Sequence, residues 1–254
     1  MNAASPISPL LRAPEWPPDI APSRFAATIE TADPSSCDIA LVGLPDDTGI
    51  ALNKGRPGAR QGPAALRRAL AAQGVADPHG WRWPRVFDAG DVRTAPGDLH
   101  ATHEAVTDAV GAVIDAGLLP IAIGGGHDLT WPVVRAAAQR HGPMHGVYYD
   151  PHLDVRETDG SGMAFRRLLE SGAAASLELH GYDPIVNSRA HTEWFLASCG
   201  RIAGEGRAHH RDPAFVSFDL DLLDAAHAPG VSAANPSGWP PGALLEAAER
   251  AGRD

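Results

Sequence analysis

Residues 146–154 read GVYYDPHLD, a short apolar run that is followed at once by polar side chains. Two further stretches repeat this pattern: residues 118–128 read LLPIAIGGGHD, and residues 214–221 read AFVSFDLD. Continuous apolar strands that alternate with helical stretches are typical of a parallel sheet with both faces covered. The sequence therefore predicts an α/β fold with a mostly parallel sheet.

The rest of the chain predicts alternating elements on either side of these strands. Apolar runs predict further strands at residues 38–44, 86–87 and 176–180, and helical composition predicts helices at residues 63–73, 100–116 and 130–139. Glycine and polar residues predict a turn at residues 88–91 and loops at residues 49–62 and 204–212, the last with exposed His209 and His210. Residues 1–22 are expected to form a Pro-rich arm, and residues 23–254 a single domain.

The charge balance disfavours two classes of partner. The chain carries 21 Lys and Arg against 31 Asp and Glu, a net charge of −10 at pH 7, and no stretch concentrates basic residues. This charge disfavours binding to nucleic acid or to an anionic membrane.

The sequence also indicates where the protein is located. No run approaches the roughly 18 apolar residues of a membrane span, and the arm lacks the features of an export signal. We expect a cytoplasmic protein, with Cys37 and Cys199 as reduced structural thiols.

Histidine and aspartate side chains follow all three strands, at the sheet edge where α/β proteins bind ligands. They are His127, Asp150, His152, Asp154, Asp219 and Asp221. In an extended backbone, the alternate spacing within residues 150–154 and within residues 219–221 points each set to one face. Neighbouring carboxylates repel one another unless a cation lies between them. Four carboxylates with two imidazoles suit two manganese ions or similar hard cations.

Each of these motifs also has a simpler interpretation. A lone Asp-x-Asp at the end of a strand is usually a turn or a solvated pair, and a lone histidine after glycines is usually a hydrogen-bonded loop residue. These interpretations require three independent coincidences at three strand ends. The joint pattern therefore favours a metal site.

The motifs GGGHD (124–128), DPHLD (150–154) and SFDLDLLDAAHAPG (217–230) resemble the signature segments of the ureohydrolase family, which includes arginase, agmatinase, proclavaminate amidinohydrolase and formimidoylglutamase. Further matches are GRPGARQGPAALR at 55–67, DAGDV at 88–92 and APGVSA at 228–233. The resemblance extends from about residue 38 to the end of the chain. Pro151 replaces an alanine of the family pattern, but every ligand type is kept.

The resemblance implies a three-layer α/β/α sandwich with a binuclear manganese centre that hydrolyses a linear amidine or guanidine C–N bond. It assigns one ion to His127, Asp150, Asp154 and Asp219, and the other to His152, Asp150, Asp219 and Asp221. Asp150 and Asp219 would bridge the ions. Asp154 would also transfer a proton to the leaving amine.

Within the family, residues 150–169 and 181–191 are most similar to formimidoylglutamases, whereas the arginase branch has a histidine where this chain has Phe165. Met163, Ala164 and Asp224 depart from the formimidoylglutamase pattern. Arg156 and Arg166 are candidates to clamp a substrate carboxylate, because a guanidinium fork matches a carboxylate, although either could instead be a solvated residue. Ser161 completes the expected substrate-binding set. The expected substrate is N-formimidoyl-L-glutamate, and agmatine or a guanidino acid is the alternative.

The resemblance also implies features of the chain end and of assembly. Family members continue after the helix near residue 242 into a further strand whose end carries a substrate-binding glutamate, so the chain is expected to be truncated at its C-terminus. A catalytically impaired metal-binding remnant is the alternative from another functional class. Family members usually form trimers or hexamers, so a homo-oligomer is expected.

Overall fold

The computed structural model describes residues 5–74, 83–203 and 214–252. They divide into two compact units: the first takes the chain up to Thr48 and Gly58–Ala136, and the second takes Gly49–Pro57 and the chain from Ala137 onward. The described helices are α1 (Thr48–Leu52), α2 (Gly62–Ala72), α3 (Leu99–Asp115), α4 (Thr130–His141), α5 (Ala164–Glu170), α6 (Arg189–Ala197) and α7 (Pro241–Ala251). The described strands are β1 (Leu11–Arg12), β2 (Ile39–Gly43), β3 (Val86–Val92), β4 (Leu119–Ile123), β5 (Met144–Tyr149), β6 (Ala174–His180), β7 (Gly200–Ile202) and β8 (Ala214–Phe218).

The first unit contains a four-stranded sheet in the order β1-β3-β2-β4. β2 pairs in parallel with both β3 and β4, as expected for apolar strands that are joined by helices. β1 comes from the Pro-rich arm and pairs antiparallel with β3, so that Leu11 lies opposite Val92. The Leu11 side chain is fully buried. The arm thus forms an edge strand of this sheet.

The turn predicted at residues 88–91 is wrong, because these residues continue β3. The pairing of β2 with β3 skips Ala89, which is therefore the extra residue of a β-bulge. Gly90 has a φ of 90°, and a Cβ at this position would meet the Arg12 carbonyl oxygen. The glycine marks a bulge with a close backbone approach rather than the end of the strand.

A buried ion-pair network joins α2 to β3. Arg67 donates to both carboxylate oxygens of Asp88, at 2.7 and 2.9 Å, and to Asp91 at 2.7 Å. The side chains of Arg67 and Asp88 are 4% and 0% exposed. Burial lowers the pKa of Arg67, but the hydrogen bonds and charges of Asp88 and Asp91 outweigh burial and raise it. Arg67 therefore offsets the buried charge of Asp88 within the protein, and the more exposed Asp91 shares the same cation.

Apolar side chains from the sheet and from α3 form the core of the first unit. The α3 helix begins at Asp98, whose carboxylate accepts a hydrogen bond from the Ala101 N–H at 3.0 Å. Such a cap satisfies an amide that the first turn leaves without a partner. The core consists of Leu11, Ala40, Val42, Leu44, Phe87, Ala89, Val92, Val106, Ala109, Val110, Val113, Leu118, Leu129 and Ala136.

The loop predicted at residues 49–62 is only partly irregular. It contains most of α1 and a 3-10 turn at Ala59–Gln61. The Asp46 carboxylate accepts a hydrogen bond from the Thr48 N–H at 2.8 Å, which satisfies an amide at the start of α1. The expectation of no regular structure is therefore wrong for these residues.

The second unit contains a four-stranded sheet in the order β7-β6-β5-β8, in which every pairing is parallel. The predicted α/β class with parallel strands is confirmed, although the parallel pairings fall into two sheets, one in each unit. The boundary of a single domain at residues 23–254 stays a prediction. The loop predicted at residues 204–212 lies outside the described residues. Among the helices described, none is long and apolar enough to cross a membrane.

Candidate metal centre

Parallel pairing aligns the ends of three strands of the second sheet. Tyr149, the last residue of β5, pairs with His180 of β6 and with Phe218 of β8. The Asp150 N–H donates to the His180 carbonyl oxygen at 3.0 Å, and the Asp219 N–H donates to the Tyr149 carbonyl oxygen at 2.9 Å. Asp150 and Asp219 therefore follow neighbouring strands at the carboxyl edge, where parallel sheets bind ligands.

Asp150, His152 and Asp221 form a compact cluster at this edge. The His152 Nδ1 atom lies 3.2 Å from the Asp150 Oδ1 atom and 3.2 Å from the Asp221 Oδ2 atom. One candidate ligand atom from each residue lies within 4.8 Å of the other two. Both aspartates are buried, and His152 is partly buried. Two carboxylate oxygens and one imidazole nitrogen thus lie close enough together to bind one metal ion.

Turns, rather than an extended backbone, bring these side chains together. The Asp150 carboxylate accepts from the His152 N–H at 2.7 Å. The Asp219 carboxylate accepts from the Asp221 N–H at 2.9 Å and begins a 3-10 turn at Leu220–Leu222. The prediction of extended segments is therefore wrong, because the first carboxylate of each motif caps the residue two positions later.

Asp154 reaches the same edge through a left-handed backbone. Its φ is 47°, a region that non-glycine residues rarely adopt. One of its carboxylate oxygens lies within 4.8 Å of one of Asp150. The position of the Asp154 side chain therefore depends on this backbone conformation and not on the alternate spacing of the motif.

The ionisation of this cluster reflects a shortage of positive charge. Burial lowers the pKa of His152, but hydrogen bonds to Asp150 and Asp221 and the charges of these carboxylates raise it from 6.5 to about 11. Burial and the charge of Asp219 raise the pKa of Asp221, although His152 opposes the shift. Each raised pKa favours the protonated form of its group, because the cluster has more negative than positive charge. A bound cation would supply the missing positive charge.

The donor set fits a hard divalent cation. The Asp221 Oδ1 atom is buried and accepts no hydrogen bond from the described part of the chain. A buried carboxylate oxygen without a hydrogen-bond donor is costly in a protein interior unless a cation neutralises it. Carboxylates with imidazole are ligands typical of Mn²⁺ and related ions, and the described cluster contains no thiolate.

His127 belongs to the first unit, where it begins the 3-10 turn His127–Leu129 after β4. The next residue, Asp128, is 1% exposed. Its Oδ2 atom lies 2.9 Å from the Nε2 atom of His103 on α3. This buried pair holds the turn that carries His127, and the sequence motif did not single out His103.

Arg156 and Ser161 lie in the second unit beside a turn that Asn53 stabilises. The Ser161 hydroxyl lies 2.9 Å from the Asn53 side chain, whose oxygen also accepts from the backbone N–H groups of Ser161 and Gly162. The Arg156 N–H donates to the Gly162 carbonyl oxygen at 2.8 Å. The guanidinium of Arg156 is exposed and makes no hydrogen bond or ion pair with residues that the structure describes.

Arg166, by contrast, is already engaged within the protein. Its guanidinium donates to Glu170 at 2.8 Å and to the Val155 carbonyl oxygen at 3.4 Å, and it pairs with Glu157 at 3.3 Å. It also lies over the ring of Trp194, 4.2 Å from the centroid. A substrate carboxylate would therefore have to displace existing partners of Arg166.

Phe165 is a core residue rather than part of a binding surface. It is fully buried, and its ring stacks on Tyr148 with 3.7 Å between the centroids. The difference from the arginase branch at this position is therefore a difference in packing. Any effect of Phe165 on substrate choice must act through the neighbouring backbone.

Comparisons with known proteins point to one family. The Arginase family model matches residues 37–254. Formimidoylglutamase of Rhodococcus jostii is 33% identical over 82% of this chain and 72% of its own length. The mitochondrial guanidino acid hydrolase of Homo sapiens is 30% identical over 88% of this chain and 70% of its own length.

A solved structure supports the same relationship. The crystal structure of Trypanosoma cruzi formiminoglutamase with Mn²⁺ superposes with a TM-score of 0.76 at 28% identity and covers 85% of this chain and 80% of that chain. The arginase-like α/β fold and the sequence match over most of the chain lead to one assignment. The protein belongs to the arginase family and is a hydrolase of C–N bonds in linear amidines.

Proposed function

We propose that the protein is a binuclear manganese hydrolase. The cluster of Asp150, His152 and Asp221 is the observation that carries this proposal, because its donors, burial and charge all suit a divalent cation. By resemblance to the family, His127, Asp150, Asp154 and Asp219 would hold one ion. His152, Asp150, Asp219 and Asp221 would hold the other.

The residues of the chain have separate tasks in this proposal. Two bound divalent cations supply Lewis acidity and lower the pKa of water. Asp154, close to Asp150 at the carboxyl edge of the second sheet, would receive the proton of the attacking water and pass it to the leaving nitrogen. The water oxygen bonds to the amidine carbon, the C–N bond breaks, and the amine leaves with the proton from Asp154. The second water proton moves to the nitrogen that stays on the carbon, which gives the amide product.

We propose N-formimidoyl-L-glutamate as the substrate, with glutamate and formamide as the products. The similarity to the Rhodococcus jostii formimidoylglutamase supports this choice. A guanidino acid is the second candidate, because the Homo sapiens relative of that name matches a larger share of this chain. Both substrates carry a carboxylate, which agmatine lacks. The role in histidine degradation, the cytoplasmic location and the homo-oligomeric state stay predictions.

A substrate panel tests this function. After manganese loading and desalting, we expect about two metal equivalents per chain, the count of a two-metal site. We expect faster turnover of formimidoylglutamate than of guanidinobutyrate, agmatine or arginine, measured as kcat/KM. Faster turnover of guanidinobutyrate or agmatine would assign the enzyme to that substrate. A protein that retains a single zinc ion and no manganese would contradict the proposal.

We propose Arg156 as the residue that binds the substrate carboxylate, since its guanidinium is exposed and uncommitted to the described residues. Arg156→Ala should raise KM for formimidoylglutamate about tenfold or more, the effect of losing a charged hydrogen bond. KM for agmatine should change little. Arg167→Ala is the matched control, because Arg167 pairs with Asp159 on the surface. Equal effects of Arg156→Ala on both substrates would exclude the clamp.

Arg166 is the alternative clamp and gives a distinct outcome. Arg166→Ala removes the contacts to Glu157, Glu170 and Trp194, so it should lower the melting temperature as well as any carboxylate affinity. If Arg166→Ala selectively raises KM for formimidoylglutamate without a change in stability, Arg166 and not Arg156 binds the substrate carboxylate.

A further inference from the structure

The Asn187 side chain holds the loop that carries His152 and Asp154. Its Oδ1 atom accepts a hydrogen bond from the Leu153 N–H at 2.9 Å. Its Nδ2 atom donates to the Pro151 carbonyl oxygen at 2.8 Å and to the Asp183 carbonyl oxygen at 2.7 Å. One amide therefore fixes the main chain on both sides of His152.

A second side chain holds the same loop from the sheet. The Tyr148 hydroxyl donates to the Leu153 carbonyl oxygen at 3.1 Å. The Tyr148 ring is fully buried and stacks on Phe165, so the hydroxyl has little freedom to move. Asn187 and Tyr148 together bind both the N–H and the carbonyl oxygen of Leu153.

The orientation of Leu153 determines the directions of its two neighbours. Its side chain is 1% exposed and anchors the loop in the core. His152 precedes it, and Asp154 follows it with a left-handed backbone that needs external support. If the peptide groups of Leu153 were released, Asp154 could relax towards a common conformation and turn its carboxylate away from Asp150.

We propose that Asn187 is a positioning residue that preorganises His152 and Asp154 for divalent cations. Within the described part of the chain Asn187 forms no hydrogen bond with the side chain of His152 or Asp154, and it acts through the backbone of Pro151 and Leu153. The inference rests on the proposed function, since it assumes that this loop supplies metal ligands. Groups that orient metal ligands typically alter metal affinity by about 10- to 100-fold when they are removed.

The test compares Asn187→Ala with Ser188→Ala in the full chain by titration with Mn²⁺. Asn187→Ala should raise the manganese dissociation constant about tenfold or more. Ser188→Ala is the matched control, because it removes the N-cap of α6, a hydrogen bond of 3.2 Å to the His191 N–H, without contacting the 151–154 loop. Both variants should lower the melting temperature of the metal-free protein, but Ser188→Ala should keep wild-type affinity.

Two further variants keep the test decisive if Asn187→Ala folds poorly. Asn187→Asp keeps the acceptor for the Leu153 N–H but removes the two donors, so it should weaken manganese binding as well. Tyr148→Phe keeps the stacked ring and removes only the hydroxyl, so it should weaken binding in the same direction. The electron paramagnetic resonance spectrum of bound Mn²⁺ should change in both variants.

The outcomes separate the inference from the proposed function. Wild-type protein that takes up no manganese would overturn the proposed function and the inference with it. Wild-type protein with two equivalents, together with wild-type affinity in Asn187→Ala and Asn187→Asp, would overturn the role of Asn187 alone. Equal weakening by Ser188→Ala would also overturn it, because the effect would then follow from general destabilisation of this segment.

Discussion

Replacing Asp150 by asparagine is expected to lower kcat/KM about a thousandfold or more, the loss that follows when several kcal/mol of charge stabilisation by metal ions is removed. Asp150 is fully buried, and its carboxylate binds the His152 ring and backbone. Asparagine keeps the size of the side chain but removes the negative charge. Manganese content should therefore fall together with activity, whereas the fold should persist.

Parallel assays of metal content, kcat/KM and circular dichroism test this expectation. Asp98→Asn is the matched control, because Asp98 is an exposed N-cap of α3 and asparagine caps helices equally well. That variant should keep its metal and its activity. An Asp150→Asn protein with two bound manganese ions and ordinary turnover would exclude Asp150 as a bridging ligand.

Arg67→Met is expected to destabilise the protein by about 3–5 kcal/mol, the range observed when one partner of a buried ion pair is removed. The substitution would leave Asp88 buried without the cation that it contacts through both oxygens. It would also leave Asp91 without one of its partners. The packing volume of the side chain changes little, so the effect is mainly electrostatic.

Urea unfolding of Arg67→Met and of a control variant, Arg68→Met, measures this effect. Arg68 is a matched control, since it is the next residue of α2 and is exposed. It should change the free energy of unfolding by less than about 0.5 kcal/mol. Adding Asp88→Asn to Arg67→Met should recover part of the loss, because it removes the uncompensated charge. Similar unfolding midpoints for Arg67→Met and Arg68→Met would refute the importance of the buried network.

Where a local pattern carries the information, the sequence predicts which residues follow the strands at one edge of the sheet. Apolar runs identify the strands, and parallel strands of one sheet place the residues that follow them at one edge. Asp150 and Asp219 follow from these two facts alone, and the structure aligns their strands as expected. The chemistry of the donors also follows from residue type.

Other features depend on contacts between distant residues and are not visible in a local pattern. Residues 88–91 resemble a turn, but the pairing with β2 and the close approach of Arg12 make them a bulged strand. The sequence around Arg166 suggests a guanidinium that is free to bind substrate. In the fold this guanidinium already contacts side chains from three separate segments. Asn187 is not apparent from the sequence for the same reason, because its partners in the 151–154 loop, Pro151 and Leu153, lie 36 and 34 positions earlier in the chain.

The left-handed backbone of Asp154 restricts which residues evolution can accept at this position. Asparagine and glycine tolerate this conformation but carry no charge, whereas glutamate carries the charge but is less suited to the conformation. Aspartate alone satisfies both demands, because its short side chain tolerates the backbone and supplies an anionic oxygen. Any substitution of Asp154 therefore gives up either the short side chain that suits this backbone or the anionic oxygen that it presents at the sheet edge.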